Sequence, residues 1–210
     1  ARRLALALGI GRCVPPAFPW LTPKAALRGA GAGPLVDEEL TDPNIVYGAL
    51  IPWIADLTFP PLEKEPELSK WKRWLSGEVI PISDEVKDAA AMSTLVLFDY
   101  LTGNFDRFSG GNIGKSGGQL LFIDNDGAFL DPMPKEPQAK NLERLRQTRV
   151  FSREFVARLK RFRRQPVIAL LGLDLGRQPL LTEVAGKGLV DRMDDVIAHV
   201  DAVVQKDGEA

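Results

Sequence analysis

Residues 98–129, FDYLTGNFDRFSGGNIGKSGGQLLFIDNDGAF, concentrate the side chains able to do chemistry. An Asp–Arg pair, Asp106 and Arg107, opens a polar Gly-rich loop after an apolar segment, and Asn112 follows six positions after Asp106. An apolar run from Gln119 to Ile123 then delivers Asp124. Phosphoryl transfer uses such groups in this order. One carboxylate accepts the proton of an attacking hydroxyl, an amide oxygen holds one Mg²⁺, and a second carboxylate holds Mg²⁺ against the phosphates. A site of this kind takes hard oxygen ligands and needs neither His nor Cys. Taken separately, Asp106–Arg107 is a turn with a local ion pair and Asp124 a strand-end turn residue. Taken together and in order, they read as one site.

Composition supports that restriction. Among 210 residues there is one Cys, Cys13, and one His, His199, which excludes disulfide frameworks, Cys-based metal sites and multi-His centres. Hydrophobic residues at 45% and charged residues at 26% are those of an ordinary globular chain, and a net charge of −1 gives no reason to expect nucleic acid as partner. Charge is nonetheless uneven. Residues 35–67 carry eight acidic residues and one Lys, whereas 140–164 carry ten basic and two acidic residues. The basic stretch reads first as a solvated helical face, and second as a surface for an acidic substrate or phosphates. No run approaches the length of a membrane span. Arg2-Arg3 before an apolar run superficially resembles a signal peptide, but the run is short and reads as an amphipathic helix.

The elements that must position these residues can be read in outline. Residues 1–9 read as a helix stopped by Gly9 and Gly11, and Val14 to Phe18 as an extended edge strand. Residues 21–34 read as a loop. Ile45 to Ile54 is β-like and buried, broken by Pro52. Helical spacing over 67–76 makes Trp71 and Trp74 core anchors. Ser83 is the expected N-cap of an apolar helix that runs from Val86 to Leu101 and ends at Gly103, with Asp99 capping or pairing internally. Residues 104–118 read as a loop and 119–123 as a buried strand. Three or four helices follow over 136–205, with breaks at Pro166, Gly172, Gly176 and Pro179, and His199 is a half-buried residue of the last.

FDYLTGNFDR followed by LLFIDNDGAF resembles the catalytic segment of four-jointed-type Golgi kinases and of the related secretory-pathway casein kinases. HipA-type and phosphoinositide kinases share the looser scheme of helix, N-x-D-R, Asn, strand and Asp. The resemblance implies an α+β, mainly α fold: a protein-kinase-like helical C-lobe with a remnant of N-lobe β structure. It implies Asp106 as catalytic base with Arg107 supporting it, Asp124 and Asn112 as metal ligands, ATP with Mg²⁺ or Mn²⁺ as cofactors, and a hydroxyl-bearing acceptor. LALALGIGRCVPP, from Leu4 to Pro16, is similar to the end of the kinase C-helix and the next strand. Gly48 to Ile54 would then be the strand and hinge beside the adenine, with Ile51 and Trp53 near it. The implied domains are 1–57, the end of the N-lobe, and 58–210, the C-lobe, with a catalytic loop at 103–112 and a metal-binding segment at 119–129. On this reading the glycine-rich strand pair, the ATP-binding Lys and its Glu partner lie upstream of Ala1, and the chain alone is inactive.

The separation of six between Asp106 and Asn112 is one more than in the kinase loop H-R-D-x-x-x-x-N. Either a Gly of Ser109-Gly110-Gly111 bulges and leaves Asn112 in place, or Asn112 does not bind metal and the domain is a pseudokinase that holds nucleotide without turnover. Leu121 to Gly127 also fits the start of haloacid-dehalogenase-type phosphatases, which need a later strand ending in Thr or Ser, a Lys and a further acidic pair. An EF-hand loop fails, because its first ligand would be Phe122. Low Cys usage suits a reducing cytoplasm, and the animal relatives make the secretory pathway the alternative.

Overall fold

The computed structural model describes residues 1–31, 44–172 and 180–208. Gly33, Pro34, Gly176, Pro179 and the acidic residues of 37–42 lie outside the described residues. The elements in chain order are α1 (Arg2–Ala7), β1 (Phe18–Pro23), α2 (Lys24–Gly29), β2 (Ile45–Leu50), α3 (Glu67–Ser76), α4 (Val86–Thr102), β3 (Ile113–Ser116), β4 (Gln119–Phe122), α5 (Lys135–Gln147), α6 (Arg153–Arg163), α7 (Val167–Leu171) and α8 (Glu183–Asp207).

The core is built around α4. Its second half is apolar nearly all round, so Met92, Leu95, Val96, Leu97, Phe98 and Leu101 are all buried. Trp71, Trp74 and Leu75 of α3, Leu145 of α5, and Leu189, Met193, Val196 and Val200 of α8 belong to the same core cluster. Each such side chain contributes about 1.5–3 kcal/mol when fully buried, so α4 is the element on which the helical half depends most. Trp71 also satisfies its indole N–H by donating to the Leu62 carbonyl at 2.7 Å. His199 is half-buried, with Nε2 2.8 Å from the Thr148 carbonyl oxygen.

Much of the basic stretch is neutralised within the fold. Arg149, Lys160 and Arg163 pair with Asp207, Asp201 and Asp194 of α8, and Arg158 pairs with Glu154 one turn before it. The spacing of charges on α6 and α8 therefore serves to dock one helix on the other. Among the described residues no helix is long and apolar enough to cross a membrane.

Several elements differ from expectation. The strand expected at Val14–Phe18 begins only at Phe18, because Pro15 and Pro16 leave that stretch without donors. Strand β1 pairs antiparallel with β2 from Phe18↔Leu50 to Pro23↔Ile45. Pro19 and Pro23 are four apart, so their ring nitrogens fall on one edge, which must be the edge away from β2. Lys24–Gly29, expected as loop, is helical. The segment Ile45–Leu50 is a strand as expected but not a buried one: the two-stranded sheet leaves Phe18, Trp20, Tyr47 and Leu50 exposed. Ser83 does not cap α4; the N-cap is Glu85, whose carboxylate accepts from the Ile82 amide at 3.3 Å. The loop expected over 104–118 contains β3, which turns through Gly117 and Gly118, both at positive φ, into β4.

At its other end α4 closes on Gly103 in the left-handed conformation, φ +66°, as the sequence implies. Any Cβ there would overlap Met133. Gly103→Ala should destabilise the fold by about 1–2 kcal/mol, read from denaturant unfolding, because an L-residue is strained in this region. An unchanged midpoint would mean that the loop after α4 does not need this turn.

Candidate active site

The loop that follows α4 is organised by one buried cation. Arg107 and Asp99 have side chains only 1% and 2% exposed, and their charges meet there. Arg107 Nε donates to Asp99 Oδ1 and Oδ2 at 3.2 and 3.1 Å, and Nη2 donates to Oδ1 at 3.2 Å. Nη1 donates to the main-chain oxygens of Asn112, at 2.6 Å, and of Ile123. Nη2 reaches Asn125 Oδ1 at 2.6 Å. One guanidinium thus ties the last turns of α4 to the backbone at Asn112 and to both neighbours of Asp124. The planar, multiply donating fork of Arg suits this task, whereas a Lys point charge would not. Burial raises the Asp99 carboxyl to about 6, against the opposing pull of Arg107 and Arg144.

Asp106 and Asn112 are joined directly. Asn112 Nδ2 donates to the Asp106 carbonyl at 2.8 Å, to its carboxylate Oδ2 at 3.2 Å and to Ser109 Oγ at 3.3 Å. With the amide nitrogen turned to Asp106, the amide oxygen is the atom left to meet a cation. The six-residue separation is accommodated by Gly110 and Gly111, both at positive φ, which let the loop return Asn112 to Asp106. Asp106 N–H donates to Asn104 Oδ1 at 3.2 Å.

Strand β4 ends at Phe122, and the chain turns sharply at Asp124, which takes φ +47°, a region that Asp tolerates better than most residues. Asn125 holds the turn by donating to the Phe122 carbonyl at 2.8 Å. Partial burial, a hydrogen bond with Asp126 and the charges of Asp126 and Asp106 raise the Asp124 carboxyl above its ordinary range. Asp124 therefore sits close enough to Asp126 and Asp106 to be repelled by both, and a divalent cation would offset that repulsion. Among the described residues no three His, Cys, Asp or Glu side chains converge as a metal centre made of them alone would require. Asp124 plus the Asn112 amide oxygen fit instead a hard cation that takes its other ligands from phosphate and water, as Mg²⁺ does. Asp126 and Asn125 were not among the expected site residues, although the alternation Asp124-Asn125-Asp126 after an apolar strand was the available signal.

Ile51 and Trp53 stand apart from this cluster, 63% and 92% exposed. Their neighbours Pro52 and Ile54 line an open groove of about 540 Å³ together with Leu6, Val14 and Pro16, and with Leu121, three residues before Asp124. Adjacent side chains of an extended segment face opposite ways, so Ile51 and Trp53 do not line this groove although Pro52 and Ile54 do.

Arg107→Ala would leave a buried, unpaired Asp99 and should destabilise the chain by about 3–5 kcal/mol in urea unfolding. A loss below that of an ordinary surface substitution would show that the pair organises nothing. The raised Asp99 value has a signed consequence. The stability this carboxyl contributes is fully present below the unfolded value of 3.8 and is lost as pH rises through about 6. The difference in unfolding free energy between wild type and Asp99→Asn should therefore shrink across that window, and a difference constant with pH contradicts the raised value.

No family model and no curated protein sequence matches this chain. Solved structures do. One described as the structure of hydra Fam20 with sugar superposes with a TM-score of 0.67 at 18% identity, covering 99% of this chain and 70% of that one. A crystal structure of the Golgi casein kinase superposes with a TM-score of 0.68 at 15% identity, covering 98% of this chain and 60% of the other. The chain thus spans well under the full length of both. Its α+β, mainly α fold is the kinase-like fold of Fam20 and the Golgi casein kinase, the group whose catalytic segment its residues 98–129 resemble.

Proposed function

We propose that this chain forms the catalytic part of an ATP-dependent phosphotransferase that acts on a hydroxyl acceptor. What supports the reading is that Asn112 is bonded to Asp106, that Asp124 lies close enough to feel the Asp106 charge, and that the buried Arg107 ties the main chain at Asn112 to that beside Asp124. Asp106 accepts the proton of the acceptor hydroxyl as its oxygen attacks the γ-phosphorus, and the γ-phosphoryl passes to that oxygen as ADP departs. Asp124 and the Asn112 amide oxygen would hold Mg²⁺ or Mn²⁺, which neutralises charge on the phosphates. Arg107 touches neither reacting atoms nor solvent and acts by fixing the two segments. The groove lined by Pro52, Ile54 and Leu121 is of a size that suits a nucleotide base, and Ile51 and Trp53 are the sequence neighbours of its lining. The division into 1–57 and 58–210 belongs to the same proposal.

The fold neighbours, one named a casein kinase and one solved with a sugar, support protein or sugar hydroxyls as acceptors. The name of the Golgi casein kinase favours the secretory pathway over the cytoplasm. An acidic acceptor gains little support from 140–164, since Arg149, Lys160 and Arg163 are already paired with α8. The phosphatase reading is disfavoured, because every described element after β4 is a helix. A pseudokinase is the second reading, in line with the bond from Asn112 to Asp106 Oδ2, which ties the Asn112 side chain to the base instead of leaving it wholly to a metal.

In the intact protein with Mg·ATP and a hydroxyl acceptor, Asp106→Asn and Asp124→Ala should each lower turnover by at least about 10²-fold while leaving the melting temperature in place. Asp106→Asn should retain ATP binding, whereas Asp124→Ala and chelation of the metal should weaken it. Full activity in Asp106→Asn would remove the base assignment. Tight Mg·ATP binding by wild type with no transfer to any acceptor would favour the pseudokinase.

A further inference from the structure

Two residues of α5, three apart and so on one helix face, reach the Asp106 loop on either side of Asp106 in sequence. Asn141 Nδ2 donates to the main-chain oxygen of Asn104 at 2.8 Å. The Asn104 amide donates to the Asp99 carbonyl at 3.0 Å, so this residue is anchored to α4 and α5 at once. Its side-chain oxygen then accepts the Asp106 amide. On the other side, Arg144 lies 4.3 Å from the centroid of the Phe108 ring, which also stacks on Trp71 at 5.8 Å and 20°. Arg144 Nη1 donates to Asn141 Oδ1 at 3.0 Å and joins the two contacts. Asn104 and Asn141 are fully enclosed, and Arg144 is half-buried.

We infer that Asn141 and Arg144 form a positioning clamp that sets the place of Asp106 in the loop. The inference rests on the phosphotransfer reading and assigns to that site two residues that contact no reacting atom. The physical need is specific. A general base works only within about 2.6–3.2 Å of the proton it takes, and a displacement of about 1 Å can lower a rate by 10²-fold. Arg107 pins the residue after Asp106 from the core side, but Ser109, Gly110 and Gly111 beyond it impose little rigidity of their own. On the side facing α5, further rigidity has to come from outside the loop. The clamp supplies it through a hydrogen-bonded peptide at 104 and a cation–π contact at 108. The planar guanidinium both stacks on Phe108 and donates to Asn141, so Lys is not its equivalent.

The test uses Asn141→Ser and Arg144→Leu, mild changes chosen to keep the fold, and reads amide exchange and steady-state kinetics in the intact protein. Both variants should speed exchange of the Asp106 amide by about 10-fold or more and lower kcat by about 10- to 100-fold, with KM for ATP within about 2-fold of wild type. Exchange at Leu95, in the middle of α4, should stay unchanged, and Arg144→Lys should not restore kcat. The double variant should lose less than the product of the single losses, because the two side chains share one hydrogen bond. An unchanged Asp106 exchange rate in both variants, faster exchange with unaltered kcat, or equal acceleration at Leu95 overturns the clamp. If wild type itself transfers no phosphoryl group, the functional reading fails and the clamp's catalytic role fails with it. An active wild type with insensitive variants overturns the clamp alone.

Discussion

A guanidinium taken out of water must find a partner for each of its N–H groups, and that requirement shapes the part of this chain that holds the candidate site. Arg107 meets it with the Asp99 carboxylate, two main-chain oxygens and the Asn125 amide. Each partner comes from a different stretch: α4, the end of the loop, the end of β4 and the turn beyond. None can move without leaving charge or a donor unpaired in a site of low dielectric. A buried ion pair of this kind adds little net stability over a well-packed apolar contact, but it is intolerant of alternatives. It therefore acts as a register pin for the segments that carry Asn112 and Asp124.

The pin also separates a packed floor from an open rim. Beneath it lie Phe98, Leu101 and Phe122, all buried in the core cluster around α4. Above it, Asp124 lies at an exposed edge where the charges of Asp126 and Asp106 oppose its own. Carboxylates crowded without a protein cation are electrostatically unfavourable, and this rim keeps them while its one buried Arg is turned towards Asp99. On the phosphotransfer proposal, that repulsion would be relieved when a metal and phosphates bind. The helices α3 and α5 complete the frame by gripping the loop at Phe108 and Asn104.

The elements legible in the sequence were those with a long, uniform signal. Helix α4 shows itself through its apolar run and Gly103, α3 through the spacing of Trp71 and Trp74, and β4 through Leu120-Leu121-Phe122. The missed elements have short or mixed signals. Strand β3 contains a Gly and a Lys and pairs only because Gly117-Gly118 form a hairpin turn. The exposure of β1 and β2 could not be read from Ile45-Val46-Tyr47, since an apolar strand looks the same whether or not a layer covers it. Pro52 and Ile54 rather than Ile51 and Trp53 face the groove for a similar reason: the facing of an extended segment changes with each residue.

By itself the sequence determined the kind of chemistry available. One His and one Cys exclude most catalytic and metal centres, and the order Asp106, Asn112, Asp124 on a loop and strand end points to phosphoryl transfer through oxygen ligands. Tertiary structure alone decided which partner each of these side chains takes. Adjacent in sequence, Asp106 and Arg107 read as a local ion pair, yet Arg107 turns inward to Asp99, eight residues back on α4. Burial makes the difference. Arg107 can enter the core only by meeting a carboxylate already there, and Asp106, on the solvated side of the same loop, is left outside that pair.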